Sequence, residues 1–291
     1  MYLWHEFRQP SSISEAIEDL VTAPSPAVPI AGGTDLLLDM RQGRHEPAQT
    51  LIDLTKVPEM NLIEIRGGFL YIGACVSINR IISNPIVQEN AQALVEACNL
   101  IAGPQIRNIA TLGGNVAHAL PAADGTIAMV ALNAEAEIAN PDGILKVHFK
   151  DLFLGPGKSA IDKSSELITG FYVPLIGKNQ ASAFNRIMRP QGVALPILNC
   201  AVWVERSEDV IKDVRISVGP GGPVPFRATN AETFLREKEY DDALLNQAVK
   251  HILLQGSFRT SPRRATSEYR KHILADLFKS TFIEAWQRAS V

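Results

Sequence analysis

Apolar residues at Ile13, Ala16, Ile17, Leu20 and Val21 recur at the spacing of one helix face. Ser12 ahead of them and Glu15 behind it form a capping box, so a helix starts here. Short apolar runs follow at 27–30, 51–54, 62–65 and 69–72 and read as strands, the last two joined by a hairpin at Gly67-Gly68. Leu36-Leu37-Leu38 opens a second helix, and 91–101 reads as a third. Residues 126–138 are apolar and Ala-rich, and their end, Ala134-Glu135-Ala136-Glu137-Ile138, alternates as a strand does. Asn140-Pro141-Asp142-Gly143 then turns the chain into a returning strand, and a run over 166–173 stops at Pro174. Two further runs, 197–205 and 210–218, predict antiparallel strands joined by a charged turn. After Gly219-Pro220-Gly221-Gly222-Pro223 breaks the chain, 230–291 reads as helices.

The polar stretch Gly177-Lys178-Asn179-Gln180 separates a mixed first part from a strands-then-helices second part. With 291 residues, two domains are expected, 1–177 and 178–291, in an α+β class. The first divides further into lobes of roughly 1–57 and 58–177. A net charge of −3 argues against a general nucleic-acid binder. No apolar run approaches the ~18–20 residues of a membrane span. The start, Met1-Tyr2-Leu3-Trp4-His5-Glu6-Phe7-Arg8, lacks the charged head and apolar core of a secretion signal, so a cytoplasmic location is expected. Cys75, Cys98 and Cys200 lie far apart and the six histidines form no ligand pair, so neither an iron–sulfur cluster nor a bound metal is expected in this chain.

Two glycine turns carry the chemistry: Ala31-Gly32-Gly33-Thr34-Asp35 and Thr111-Leu112-Gly113-Gly114-Asn115. Glycine admits left-handed backbone and close approach of a ligand to the main chain. Successive N–H groups in such a turn form a concavity for an anion. Two such turns suggest two walls of one site for a phosphate-bearing dinucleotide cofactor. It is not a Rossmann site, because no Gly-x-Gly-x-x-Gly follows a strand. Nor is Gly157-Lys158-Ser159 the tail of a P-loop, whose first glycine would fall at Leu152.

The block Gly103-Pro104-Gln105-Ile106-Arg107-Asn108-Ile109-Ala110-Thr111-Leu112-Gly113-Gly114-Asn115 closely resembles the signature of the FAD-binding medium subunits of molybdenum hydroxylases, the xanthine dehydrogenase and carbon monoxide dehydrogenase family. Ala31–Asp35 resembles that family's first flavin loop, and Pro121-Ala122-Ala123-Asp124 the stretch after its second. Leu154-Gly155-Pro156-Gly157-Lys158, Pro225-Phe226-Arg227 and Ser267-Glu268-Tyr269-Arg270 are similar to further family features. The resemblance implies a two-lobed FAD-binding domain of the vanillyl-alcohol-oxidase-like type, followed by a smaller α+β domain.

It also implies roles. Ile30, Ala31, Gly32, Gly33, Thr34, Asp35 and Leu36 would wrap the FAD pyrophosphate, with Thr111, Gly113, Gly114 and Asn115 as the second wall. Asp124 would contact the sugar-alcohol chain, or stabilise a turn before Gly125, and Leu167 would pack near a ring of the cofactor. One departure stands out: the family has Lys-x-x-x-Arg where this chain has Asn185 and Arg189. Arg186 beside it either compensates near the flavin or is a solvated surface charge. Gln105, Arg107 and Asn108 read as structural supports of the second loop, Arg107 alternatively as a contact to flavin or partner. His118 reads as a packed loop residue. No residue of the chain reads as a catalytic acid, base or nucleophile.

The implied function is electron transfer. An iron–sulfur subunit would deliver electrons from a molybdenum-cofactor subunit to FAD here, for passage to NAD or another acceptor. The alternatives are a stand-alone flavoprotein oxidoreductase of the same fold and a non-catalytic, flavin-free assembly protein.

Overall fold

The computed structural model describes residues 2–189, 195–262 and 264–290. The expected outer domain limits Met1 and Val291, and parts of the second domain at 190–194 and 263, lie outside these residues.

The chain begins with a small parallel sheet in which Ala48–Asp53 lies between Trp4–Arg8 and Ala27–Ile30. The helix Ile13–Thr22 connects the outer pair and starts where the capping box predicts, Ser12 Oγ accepting from the Glu15 N–H at 3.1 Å. Its Ala16, Ile17 and Leu20 are buried, while Val21 is exposed. The central strand starts earlier than the 51–54 run, because Ala48 and Thr50 are buried in the ladder as well.

A five-stranded antiparallel sheet follows, in the order Ile63–Arg66, Phe69–Gly73, Leu167–Pro174, Glu135–Asn140, Gly143–His148. The hairpin at Gly67-Gly68 forms as expected, with both glycines at positive φ. Leu70, Ile72, Ala136, Ile138, Phe171 and Val173 turn one face of this sheet into the first hydrophobic core. The expected helix at 91–101 is the last of three short ones, Ile78–Ser83, Pro85–Asn90 and Gln92–Asn99. Pro85 lacks the N–H needed to continue a helix and so occupies the first turn of a new one, capped by Asn84 Oδ1. The Ala-rich stretch becomes the helix Asp124–Ala131, buried on every side, where small side chains allow close packing.

The second half is an antiparallel sheet of Gln180–Met188, Pro196–Ser207, Val210–Gly219 and Phe226–Arg227. Its strands present two different faces. Phe184, Ala201 and Trp203 join the first core, whereas Ala181, Ala183, Cys200, Val202 and Val204 join a second one. The second core is closed by the helices Thr229–Leu235, Asp242–Gln255 and Ser267–Arg288. The expected all-helical tail is interrupted by Lys238–Glu239, a short strand paired with Val210 and Ile211.

Candidate cofactor site

The strand Ala27–Ile30 delivers the first glycine loop at its end, and the helix Leu36–Arg41 leaves it. Gly33 sits at φ +65°, a conformation that strains any residue with a Cβ. Among the described residues, the N–H groups of Gly32, Gly33, Thr34, Asp35 and Leu36 donate to no protein acceptor. That leaves five successive unpaired donors on one loop.

The second glycine motif is built differently. It is not a loop but the first turn of the helix Leu112–Ala117, with Thr111 as its N-cap. Its N–H groups are already engaged: Leu112 to the Val76 carbonyl at 3.3 Å, Gly113 to the Ala74 carbonyl at 2.9 Å, Gly114 to Thr111 Oγ1 at 3.1 Å and Asn115 to the Thr111 carbonyl at 3.0 Å. Its glycines serve closeness instead, since a Cβ on Gly113 would lie 2.6 Å from the Ala74 carbonyl oxygen.

The two motifs meet. A Cβ on Gly32 would stand 2.3 Å from the Ile109 carbonyl oxygen, so only glycine lets the loops approach this closely. Asp35 Oδ2 and His118 Nδ1, 3.7 Å apart, form a second point of approach. Between the loops lies an open cavity of about 330 Å³, near the lower end of the ~300–1,000 Å³ of small-molecule sites. Gly32, Cys75, Ser77, Arg80, Asn108 and Thr111 are among its lining residues. Ser77, Arg80 and Cys75 were missed by sequence reasoning. Only the position of Ser77 as the N-cap of Ile78–Ser83 was readable, and nothing local marks Arg80.

Arg107 holds the second wall from behind. Its Nη1 donates to the Asn99, Ile101 and Ala102 carbonyls at 3.0, 3.1 and 3.0 Å, and Nε to Asn79 Oδ1 at 3.3 Å. Asn79 Nδ2 in turn donates to Asn108 Oδ1 at 2.5 Å. The structural reading of Arg107 and Asn108 accounts for these bonds.

Asp124, at the start of its buried helix, pairs with Arg186 Nη1 at 2.5 Å and accepts from Asn199 Nδ2 at 2.8 Å. Both charged side chains are nearly fully buried, at 6% and 5% exposure, so Arg186 is no solvated surface charge. Burial pushes the Asp124 carboxyl upward from its ordinary range, while Arg186 and Asn199 pull the other way. Each of its oxygens accepts one of these bonds and keeps a further lone pair as an acceptor. Nearby, Asn115 Oδ1 is buried without a hydrogen-bond partner and lies against Gly125, 3.0 Å from where a Cβ would stand. Leu167 is a core residue at the start of its strand, paired with Ala139, and does not line the cavity.

The pleat of Gln180–Met188 separates positions 185 and 186. Arg186 faces Asp124, whereas Asn185 Nδ2 donates to Glu284 Oε2 of the last helix at 2.9 Å. The family's lysine position is therefore turned toward the second core's helix layer in this chain.

The cavity and its donors fit the phosphates of a dinucleotide, and the comparisons name the family. Residues 5–176 match the model of the FAD binding domain in molybdopterin dehydrogenase. The chain belongs to this family. Residues 182–285 match the CO dehydrogenase flavoprotein C-terminal domain. The chain is 28% identical over 285 residues to the carbon monoxide dehydrogenase medium chain of Hydrogenophaga pseudoflava, covering 98% of both. It is 26% identical over 286 residues to the xanthine dehydrogenase FAD-binding subunit of Escherichia coli O157:H7, covering 98% of this chain and 97% of that one. Among solved structures, it superposes on carbon monoxide dehydrogenase from Hydrogenophaga pseudoflava lacking the Mo-pyranopterin moiety, with a TM-score of 0.91, 29% identity and 97% coverage of each chain. The protein is thus an FAD-binding oxidoreductase component of the molybdenum hydroxylase type, with an FAD-binding domain followed by a C-terminal domain. No helix among the described residues is long and apolar enough to cross a membrane.

Proposed function

We propose that this chain is the electron-transfer subunit of a molybdenum-containing hydroxylase or dehydrogenase, standing between an iron–sulfur subunit and NAD or another acceptor. The observation that carries this reading is the loop at Gly32–Leu36, whose five unpaired N–H groups face no competing protein acceptor. Ile30 to Leu36 would hold the FAD pyrophosphate through these donors. Thr111, Gly113, Gly114 and Asn115 would close the second side, Thr111 through its hydroxyl proton and Asn115 through its Nδ2 donor. Asp124, with Arg186 beside it, would stand toward the sugar-alcohol chain, and Leu167 would support the site from the core behind it. Bound FAD supplies exchange between single-electron donors and a two-electron acceptor.

The chain's own part is binding, orientation and exclusion of water. In this reading the iron–sulfur clusters and the molybdenum cofactor belong to partner subunits. All three cysteines are free and buried, in keeping with a reducing, cytoplasmic setting.

The test is to purify the chain from its native host and record its visible spectrum and companions. Flavin bands together with larger subunits bearing iron–sulfur absorbance and molybdenum support the proposal. Reoxidation of the reduced complex by NAD⁺, oxygen or an artificial dye then identifies the acceptor. A chain that takes up no FAD and purifies without partners would defeat it.

A further inference from the structure

The lining of the cavity between the two glycine motifs holds one charged side chain, Arg80, and no carboxylate. Arg80 lies on the exposed side of Ile78–Ser83, whose Ile78 and Ile81 are buried in the first core. Among the described residues its guanidinium has no hydrogen-bond or ion-pair partner; its backbone N–H donates to Ser77 Oγ at 3.4 Å. The acid behind Cys75, Asp53, is already engaged by Gln9 Nε2 at 2.6 Å and the Thr55 N–H at 2.9 Å.

The neighbouring polar groups point the same way chemically. Ser77 Oγ and Thr111 Oγ1 each accept a backbone N–H, from Arg80 and Gly114, which leaves both hydroxyl protons to be donated. Asn108 Oδ1 accepts from Asn79, leaving its own Nδ2 without an acceptor. Gly32, the first residue of the loop with unpaired N–H groups, also lines the cavity, which is thus rich in donors and carries a single positive charge.

We infer that Arg80 is the cation of this site, binding the pyrophosphate of FAD through its guanidinium and making the site selective for the dinucleotide over the phosphate-free flavin. This rests on the cavity being the FAD site. Neutral donors can surround two phosphate charges, but a guanidinium adds a planar fork that matches two phosphate oxygens. Arg80 binds cofactor; it takes no part in electron transfer.

Flavin-free full-length protein is titrated with FAD and with riboflavin, followed by flavin fluorescence, at low and high salt. Arg80→Gln should weaken FAD on the order of tenfold or more, as expected for losing a charge-assisted hydrogen bond. Riboflavin should bind both proteins equally, because it has no phosphate to lose. The salt dependence of FAD binding should flatten in Arg80→Gln, and Arg80→Lys should recover part of the affinity at low salt only. Equal FAD affinity of Arg80→Gln and the unaltered chain overturns the Arg80 assignment while leaving the FAD site standing. So does an equal loss for FAD and riboflavin, which marks a structural role. An unaltered chain that binds no FAD overturns the site itself, and Arg80 with it.

Discussion

Replacing Asp124 by Asn asks whether this carboxylate pins the two halves of the molecule together. Asp124 belongs to the first core's buried helix, while Arg186 and Asn199 lie on adjacent strands of the second sheet, in register across from each other. Removing the negative charge leaves the Arg186 guanidinium buried beside a neutral amide, with Nε already lacking a partner. Breaking one partner of a buried pair costs about 3–5 kcal/mol. At roughly 2–3 °C per kcal/mol for a chain of this size, Tm should fall by about 6–15 °C.

The assay is thermal unfolding of flavin-free protein, so that no cofactor contact contributes. Adding Arg186→Met to Asp124→Asn removes the uncompensated charge and should restore much of the loss, giving a coupling energy of order 0.5–3 kcal/mol. An unchanged Tm for Asp124→Asn in the flavin-free state, with FAD affinity lost, would refute the reasoning and make Asp124 a cofactor ligand first. Strictly additive effects in the double variant would refute the pairing.

Other outcomes follow from the same geometry. Gly32→Ala places a Cβ 2.3 Å from the Ile109 carbonyl oxygen; overpacking should cost about 1–3 kcal/mol and abolish FAD uptake in an absorbance titration. Asn185→Lys should pair with Glu284 and leave both FAD affinity and the flavin reduction potential unchanged; a shifted potential in a spectroelectrochemical titration would place position 185 at the flavin after all. Arg107→Met frees the carbonyls of Asn99, Ile101 and Ala102 and should lower stability by about 1–3 kcal/mol in urea unfolding. Burial pushes the Cys75 and Cys200 thiols up to about 12 and Cys98 higher still. All three therefore stay protonated at pH 8, and native protein should resist iodoacetamide, with three alkylated sites appearing only on unfolding.

Much of this architecture is legible from local patterning. Ser12 and Glu15 mark their helix because the capping box is a local bond, and Gly67-Gly68 mark their hairpin because positive φ is a local demand. The family was readable because its signature is a contiguous block around the second glycine motif. What was not legible depends on distance along the chain. Arg186 meets Asp124 across a separation of 62 residues along the chain, and no periodicity announces which of two neighbouring strand residues faces the cofactor domain. The pleat decides it: Phe184 and Arg186 turn one way, Ala183 and Asn185 the other. The departure at 185 therefore looks like a change in the cofactor's surroundings when aligned, and like a helix contact when folded.

The two glycine motifs make the same point at the site itself. They share small residues, a threonine and a polar partner, and in sequence both read as anion-binding turns. Folding assigns them opposite work. Gly32 and Gly33 leave the N–H groups of their loop unsatisfied, a cost that a buried or half-buried segment sustains only when some acceptor compensates it. Gly113 and Gly114 have every N–H satisfied from within, and what their missing side chains provide is room against Ala74 and Thr111. Satisfied donors cannot hold a phosphate without breaking a bond, so the anion's binding energy must come from the first loop and from whatever charge the second wall presents. Among the lining residues that charge is Arg80. If it is, moving a positive charge from position 80 to the first loop, as in Arg80→Gln with Thr34→Lys, should restore the salt dependence of FAD binding that Arg80→Gln alone removes. Failure to restore it, with the flavin-free fold intact by circular dichroism, would mean that the second wall positions its charge in a way that mere proximity does not reproduce.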